Sequence, residues 1–303
     1  MNNKSSSEIV QSLVLKAKKA QSIFENYNQN QVDEVVTAVA WALCKPSNNK
    51  KISNLAVSET GLGNPEDKIL KNKRKTLGLL RDLKNIKTVG VINEDKEKGI
   101  IEIAKPVGIV AAVTPSTNPA ATPINNIINA LKGRNSIIVS PSPAGSKVFR
   151  DLLILINNEL KKISAPENLI QTFDCDVTKE LTNELMKNVD LVIVTGSLNN
   201  VREAAKSGTK AIGVGQGNVT SIVDETADLV DAFKKIKMSK TFDNATSCSS
   251  ENNLILIEDI YEKAINLLSK ENAVLLNKNQ KEVLQKNLWI DGKLNRKIIA
   301  KSA

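Results

Sequence analysis

Apolar residues in the first part of the chain recur every three or four positions. Residues 7–26 and 31–43 each carry such a stripe, and a third helical stretch, about 49–60, ends at Gly61 and Gly63. A fourth stretch opens with Pro65, a residue favoured in the first helical turn. The apolar stripe of this fourth stretch consists of Leu77, Leu80 and Leu83. The periodicity predicts four amphipathic helices within the first 85 residues.

The period changes near residue 88, where short β-rich runs begin. Two of them, TVGVI and GIIEIA, are separated by the charged run EDKEKG and predict a hairpin or two adjacent strands. Four later runs are apolar along their length, and each precedes a helix-like segment: 108–113 before 121–132, 136–140 before 145–162, 169–173 before 178–187, and 191–195 before 198–207. This alternation predicts an α/β fold with a parallel sheet covered by helices on both faces.

The turns that follow these strands are the places where such a sheet binds ligands. Thr114–Pro119 and Pro141–Gly145 are each stiffened by two prolines, although the first turn can equally be the N-terminal cap of the next helix. Gly196 and Ser197 free backbone N–H groups at a predicted helix N-terminus, which suits a phosphate or a ribose. The glycine-rich turn Gly213–Gly217 follows the wrong kind of segment for a dinucleotide fingerprint and is weak evidence alone.

The composition is that of an ordinary globular protein, with 41% apolar and 25% charged residues. No run approaches the roughly 18 apolar residues of a membrane span, and the N-terminus lacks a secretory signal, so we expect a cytoplasmic protein without a membrane partner. The net charge of +9 is spread over many segments and aromatic residues make up only 3%, so we expect no nucleic-acid partner. The chain has no histidine, which excludes an imidazole base from its own residues.

The three cysteines, Cys44, Cys175 and Cys248, are too irregularly spaced for a disulfide framework or a metal site. Cys248 closes a helix predicted at about 228–246 and lies among serine, threonine and asparagine residues, whose donors can stabilise a thiolate. Cys44 follows an apolar run and is interpreted as packing, whereas the aspartates on both sides of Cys175 disfavour its thiolate. We favour Cys248 as a reactive thiol over the alternative of a buried structural cysteine.

Three blocks of the sequence carry a resemblance to a known family. They are PVGIVAAVTPSTNPAATPINNIINALKGRNSIIVSPSPAG, VTGSLNNVREAAKSGTKAIGVGQGNVTSIVDETADL and MSKTFDNATSCSSEN. Together they resemble the CoA-acylating branch of the aldehyde dehydrogenase superfamily, and the residues around the cysteine are most similar to its members that act on sulfoacetaldehyde. The resemblance covers the entire chain. It implies a Rossmann-type cofactor domain over residues 1–238, with N-terminal helices up to residue 86, and the start of a second α/β catalytic domain over residues 239–303.

The resemblance also implies a set of site residues. Cys248 matches the catalytic nucleophile, and Asn118 matches the asparagine whose side-chain amide forms the oxyanion hole with the backbone N–H of the cysteine. The residues that match the cofactor site are Thr114, Pro115, Ser140, Pro141, Gly196, Ser197 and Gly215. The implied cofactor is NADP or NAD. The residues leave the choice open, since an acidic residue for a ribose 2′-hydroxyl cannot be located after SIIVSPSPAG and Ser142 with Lys147 could accept a 2′-phosphate. The resemblance to the members that act on sulfoacetaldehyde favours NADP.

The implied reaction oxidises a small aldehyde, first of all sulfoacetaldehyde, to its acyl-CoA thioester through a thioester on Cys248. Hydrolytic members of the superfamily carry a glutamate base in the segment that matches Ala211–Gly217, and this segment has no carboxylate. The missing base favours attack by coenzyme A over attack by water. Three alternatives stay open: an acylating dehydrogenase for acetaldehyde or another short aldehyde, an inactive dinucleotide-binding remnant, and a nucleic-acid binder inferred from charge alone.

The chain ends about 55 residues after Cys248, whereas members of the family continue well beyond the segment that matches IIAKSA. We therefore expect residues 1–303 to be a C-terminally truncated piece of such an enzyme. This piece is expected to keep part of the cofactor binding and not to turn over substrate alone. The full-length protein is expected to be a homo-oligomer.

Overall fold

The computed structural model describes residues 5–215, 217–295 and 297–301. Its α-helices are α1 (Ser6–Phe24), α2 (Gln29–Cys44), α3 (Pro46–Thr60), α4 (Pro65–Leu83), α5 (Ala121–Lys132), α6 (Ser146–Lys162), α7 (Lys179–Lys187), α8 (Leu198–Lys206), α9 (Leu229–Thr241), α10 (Tyr261–Lys270) and α11 (Lys278–Leu288). Its β-strands are β1 (Gly90–Asp95), β2 (Ile100–Ala104), β3 (Ile109–Thr114), β4 (Ser136–Pro141), β5 (Ile170–Thr172), β6 (Leu191–Thr195), β7 (Ala211–Val214), β8 (Val219–Val223), β9 (Glu251–Leu256), β10 (Trp289–Ile290) and β11 (Lys293–Leu294). Within the described residues, none of these helices is both long and apolar enough to cross a membrane.

The chain divides into two compact units, residues 1–61 with 68–216 and residues 62–67 with 217–303. The first unit is built on a five-stranded parallel sheet with the order β5-β4-β3-β6-β7. This is the strand order of a dinucleotide-binding half-fold, in which the chain starts at the central strand and reverses direction beside it. The predicted α/β fold with a parallel sheet is therefore confirmed, while the functional domain boundary at residue 238 stays a prediction.

Both faces of this sheet are covered by helices. Alternate residues of β3 point to opposite faces: Val110 and Ala112 belong to the core shared with α2, α3, α5 and α6, and Ile109 and Ala111 to the core shared with α1 and α7. All six residues of β3 are buried. A strand buried on both sides needs a continuous run of apolar residues, and the first five residues of β3 are such a run.

Helix α4 differs from its prediction. The expected apolar stripe is only partly correct, because Leu77 is exposed while Leu80 and Leu83 pack against the larger core. The buried positions of α4 are instead polar: Lys68, Lys71, Asn72 and Thr76. Part of the reason lies in α3, where Asn49 and Ser53 accept hydrogen bonds from the Asn72 amide at 3.0 and 3.1 Å. Buried polar groups are tolerated when they find such partners.

The second unit contains a parallel pair of strands, β8 and β9, packed with α9 and α10 around a small apolar core. The helix predicted at about 228–246 is shorter than expected, since α9 ends at Thr241. Asp243, Asn244 and Ala245 follow with φ values of 51°, 50° and 58°, in the left-handed region. Aspartate and asparagine tolerate this conformation better than other non-glycine residues, which explains why the helix stops there.

Candidate active site

A cleft of about 460 Å³ opens in the first unit at the carboxyl ends of β3, β4 and β6. Six of the seven residues predicted to bind the cofactor line it: Thr114, Pro115, Ser140, Pro141, Gly196 and Ser197. The seventh, Gly215, follows β7 and is not among the residues that line the cleft. Parallel strands end at one edge of a sheet, so turns that are far apart in the sequence meet at this cleft.

Hydroxyl side chains that cap helices form part of the cleft wall. Ser197 accepts a hydrogen bond from the backbone N–H of Asn200 at 3.2 Å and is the N-cap of α8. Thr178 accepts one from Leu181 N–H at 3.1 Å and is the N-cap of α7. The positive ends of these helices therefore lie beside the cleft lining, an arrangement that favours phosphate groups.

Gly196 joins β6 to α8 in a conformation that requires glycine. Its φ is 146°, a region that other residues rarely adopt, and its N–H donates to Val214 O at 3.1 Å. A Cβ at this position would meet only the Pro115 side chain, at 3.8 Å, so the backbone conformation and not crowding excludes a side chain. The turn therefore keeps this part of the cleft wall free of side-chain bulk.

Thr114 supplies a buried hydroxyl to the cleft wall. The residue is 3% exposed, and its Oγ1 has no hydrogen-bond partner among the described residues. Its backbone carbonyl accepts from Ser142 N–H at 2.9 Å, which ties the end of β3 to the turn after β4. A buried hydroxyl without a partner is costly, so it fits a position that a polar ligand satisfies.

The charges at the cleft differ from those that the sequence indicated. Among the described residues that line it, Lys179 carries the positive charge and Glu203 the negative charge. The Nζ of Lys147 lies 2.7 Å from Glu59, and this hydrogen bond raises the pKa of Lys147. Lys147 is therefore engaged elsewhere and does not line the cleft, whereas Ser142 does. Sequence reasoning missed Lys179, which begins α7 directly after the capping Thr178.

Asn118 is half-buried in the turn after β3, and two lysines of α4 hold this turn. The Nζ of Lys71 donates to the Asn118 Oδ1 at 3.0 Å, and the Nζ of Lys68 donates to the Thr117 carbonyl at 3.3 Å. Each lysine is only 3% exposed. The sequence signal for these contacts was the spacing of polar residues at positions 68, 71, 72 and 76, which lie on one face of a helix.

Cys248 is exposed in a polar turn of the second unit. Its neighbours Ser247 and Ser249 share a hydrogen bond of 2.9 Å between their Oγ atoms. Gly217 lies against this turn, since a Cβ on it would come within 2.7 Å of the Cys248 carbonyl oxygen. The neighbouring Gln216 lies outside the described residues, so the predicted glycine-rich turn is described only in part.

The turn that leads to Cys248 is held from the start of α4. The Asp243 carboxylate is fully buried, accepts from Asn64 N–H at 3.0 Å and accepts from the Thr246 hydroxyl. The Asp243 N–H in turn donates to the Asp67 carboxylate at 2.7 Å. Asn64 and Asp67 belong to the same compact unit as Cys248. These contacts fix the left-handed turn from which the Cys248 segment continues.

The other two cysteines occupy different surroundings. Cys44 and Cys175 are both half-buried. Burial is the largest influence on Cys44 and raises the pKa of its thiol, although a hydrogen bond to Thr76 and the charge of Lys73 act in the opposite direction. Of the three thiols, Cys248 is the most accessible to a reagent in solution.

Residues 2–283 match the aldehyde dehydrogenase family, and the chain belongs to that family. It is 50% identical over 296 residues to an acylating sulfoacetaldehyde dehydrogenase of Cupriavidus necator, a match that covers 98% of this chain and 60% of that protein. An acetylating aldehyde dehydrogenase of Geobacillus thermoglucosidasius has a similar structure, with a TM-score of 0.93, 38% identity, and coverage of 98% of this chain and 66% of that one.

A third relative is a propionaldehyde dehydrogenase of Rhodopseudomonas palustris, solved with bound CoA and an acylated cysteine. Its TM-score is 0.86 at 30% identity, over 99% of this chain and 69% of that one. The chain thus spans about 60% of the length of the curated relative from Cupriavidus necator. The resemblance to CoA-acylating aldehyde dehydrogenases is confirmed by these relatives.

Proposed function

We propose that this chain carries the cofactor site and the nucleophile of a CoA-acylating aldehyde dehydrogenase, with sulfoacetaldehyde as its aldehyde. The reaction converts the aldehyde, NADP or NAD, and coenzyme A to an acyl-CoA thioester and the reduced cofactor. The observation that carries the proposal is the accessible Cys248 in a turn of small polar residues next to Gly217. The acylating relatives support it at up to 50% identity.

The proposed first step is attack of the Cys248 thiolate on the aldehyde carbonyl carbon. A C–S bond forms, and the carbonyl π electrons move to the oxygen, which becomes an oxyanion and needs donors about 3 Å away. We assign this role to the side-chain amide of Asn118 and the backbone N–H of Cys248. An amide suits the role because it donates hydrogen bonds without changing its charge.

The cleft of the first unit fits a nicotinamide dinucleotide. It lies at the carboxyl ends of the strands, beside helix N-termini, and its wall includes Thr114, whose hydroxyl has no partner in the described part of the chain. Thr114, Pro115, Gly196 and Ser197 would hold the cofactor near its nicotinamide and pyrophosphate, and Ser140 and Pro141 near the adenosine ribose. We assign Gly215 to the segment beside the nicotinamide. A bound nicotinamide would supply the hydride acceptor for the thiohemiacetal carbon, and Cys248 would then hold the acyl group as a thioester.

The acyl group can leave Cys248 by attack of coenzyme A (thiolysis) or by attack of water (hydrolysis). The segment Ala211–Gly217 contains no carboxylate, and its last residue, Gly217, lies against the Cys248 turn without a side chain. Water therefore has no base from this segment, and the CoA thiolate attacks the thioester while Cys248 departs as a thiolate. The nearest acidic residue along the chain is Glu251, whose Oε2 is buried without a hydrogen-bond partner among the described residues.

Two finer points belong to the same proposal. We propose a homo-oligomer for the full-length protein, which is consistent with half-exposed apolar residues on the β1–β2 hairpin, among them Ile100, Ile101 and Ile103. We also propose the cytoplasm as its compartment, because a reactive Cys248 and coenzyme A both require reduced thiols.

The test separates acylation from turnover. The chain is incubated with sulfoacetaldehyde or acetaldehyde and with NADP or NAD, and the thioester on Cys248 is detected by mass spectrometry before and after addition of coenzyme A. We expect a single round per chain and no repeated turnover: a thioester that persists in water and is discharged by coenzyme A. Cys248→Ala should form none, and the matched control Cys175→Ala should behave like the parent chain.

Two results would contradict the proposal. Formation of free acid at the full rate without coenzyme A would show hydrolysis, and Glu251→Gln would then show whether Glu251 is the base. Equal labelling of the parent chain and Cys248→Ala would place the nucleophile elsewhere. A preference for acetaldehyde would replace the substrate and leave the acylating chemistry in place.

A further inference from the structure

The amide of Asn118 has a defined orientation because of a buried lysine. The Nζ of Lys71 lies 3.0 Å from the Asn118 Oδ1, and Lys71 is 3% exposed. A side-chain amide has one acceptor end and one donor end, whereas an ammonium group has three donors and no acceptor. The contact is therefore favourable only when Oδ1 faces Lys71. The reversed amide would place its NH₂ group against an ammonium group.

This orientation directs the Nδ2 protons of Asn118 away from Lys71. An oxyanion hole requires the NH₂ end, since only that end donates a hydrogen bond to a developing negative charge. A buried ammonium group on the carbonyl end also polarises the amide and strengthens its donors, because hydrogen bonds in a chain reinforce one another. Both effects act on the oxyanion, which exists only after the thiolate has attacked.

The neighbouring contact holds the backbone of the same turn. The Nζ of Lys68 donates to the Thr117 carbonyl at 3.3 Å, one residue before Asn118. Lys68 and Lys71 lie three residues apart on α4 and so share a helix face. Prolines at positions 115 and 119 stiffen the turn on both sides of Asn118. One helix thus fixes both the backbone and the side-chain orientation of the turn.

We propose that Lys71 is a positioning residue for the oxyanion hole: it selects the orientation in which the Asn118 amide donates to the oxyanion. The inference rests on the proposed role of Asn118 and goes beyond it, because it assigns the orientation of the amide to a residue that does not touch the substrate.

The experiment compares two reactions of Cys248 in the full chain. Acylation by p-nitrophenyl acetate passes through an oxyanion and needs no cofactor, whereas alkylation by iodoacetamide is a displacement without an oxyanion. The variants are Lys71→Met, Lys71→Arg, Asn118→Ala and the double variant Lys71→Met with Asn118→Ala. The matched control is Lys75→Met, an exposed lysine of the same helix.

We expect Asn118→Ala to slow acylation by about 10²- to 10³-fold, the usual effect of losing one oxyanion donor. Lys71→Met should slow it by at least roughly 10-fold, a part of that effect. The double variant should be no slower than Asn118→Ala, because Lys71 acts only through Asn118. Lys71→Arg retains a donor and should recover part of the rate. Alkylation should stay unchanged in all variants, and the control should match the parent chain in both reactions.

Three results would overturn the inference: a normal acylation rate in Lys71→Met, an additive loss in the double variant, or equal losses of acylation and alkylation. If the parent chain is alkylated but not acylated at Cys248, the proposed function fails instead. In that case NMR of ¹⁵N-labelled asparagine side chains tests the orientation of the Asn118 amide without any reaction at Cys248. We expect the Asn118 amide signals to shift in Lys71→Met and not in Lys75→Met, and unchanged signals would refute the orientation.

Discussion

Gly217 offers a direct test of how the second unit positions Cys248. An ideal Cβ at residue 217 would lie 2.7 Å from the carbonyl oxygen of Cys248, a backbone atom that cannot rotate away as a side chain can. The two segments are brought together by the pairing of β8 and β9, in which Val219 is opposite Glu251. The substitution Gly217→Ala must therefore displace one of the two segments.

The size of the displacement follows from the contact distance. Ordinary van der Waals contact of a Cβ begins near 3.4 Å, so the carbonyl must move by about 0.7 Å. A misplacement of about 1 Å at a reacting group costs on the order of 10²-fold in rate, so we expect Gly217→Ala to slow acylation of Cys248 by roughly 30- to 100-fold. Alkylation by iodoacetamide needs no aligned oxyanion donors and should stay close to the rate of the parent chain.

The assay is the release of p-nitrophenolate from p-nitrophenyl acetate, with mass spectrometry to confirm that the acyl group is on Cys248. Asn218→Ala serves as the matched control, because residue 218 is the exposed neighbour of Gly217. Far-UV circular dichroism and the melting temperature report whether the fold is retained. Acylation of Gly217→Ala at the parent rate, with a fold that is intact, would refute the close approach of these two segments.

Three further predictions concern stability, thiol reactivity and cofactor choice. In Gly108→Ala the new Cβ would meet the Asp190 carboxylate, and alanine would have to adopt the φ of 119° that Gly108 has. The free energy of unfolding, measured in urea, should therefore fall by about 2–4 kcal/mol, and a fall of less than about 1 kcal/mol would contradict this strain. Burial raises the pKa of Cys44, so its thiolate forms at a higher pH than that of an ordinary thiol. At neutral pH iodoacetamide should therefore modify the exposed Cys248 before Cys44, and the reverse order would contradict this. Lys179 lines the cleft, so Lys179→Ala should raise the Kd for NADP by about 5-fold, the effect of losing one exposed charge, and should leave the Kd for NAD unchanged. An equal rise of both Kd values would exclude a contact between Lys179 and the 2′-phosphate.

Much of the first unit was predictable from the sequence because the relevant signals are local. Apolar runs such as 108–113 and 136–140, each followed by a helical period, indicate strands buried on both faces. Prolines and glycines after these strands predict the turns, and the topology of parallel sheets brings such turns to one edge. Six of the predicted cofactor residues accordingly line one cleft, although their binding role stays a prediction.

Other features could not be read from the sequence because their partners are distant along the chain. Lys71 contacts a residue 47 positions away, and Asn64 contacts Asp243 across 179 positions. A lysine on an amphipathic helix is normally exposed, so periodicity alone favoured the leucine stripe of α4 over its polar face. The same limit applied to the lysine of the cleft. The sequence pointed to Lys147, which bonds to Glu59, whereas Lys179 lines the cleft.

The sequence by itself determined the order of helices and strands up to about residue 207, the parallel sheet and the family, since these depend on residue periodicity and on motifs that are continuous in the chain. Only the tertiary structure decided which charges are buried, which lysine lines the cleft at the strand ends, and which group lies against the Asn118 side chain. A side chain acquires its orientation from neighbours that folding brings together, and no local pattern specifies those neighbours.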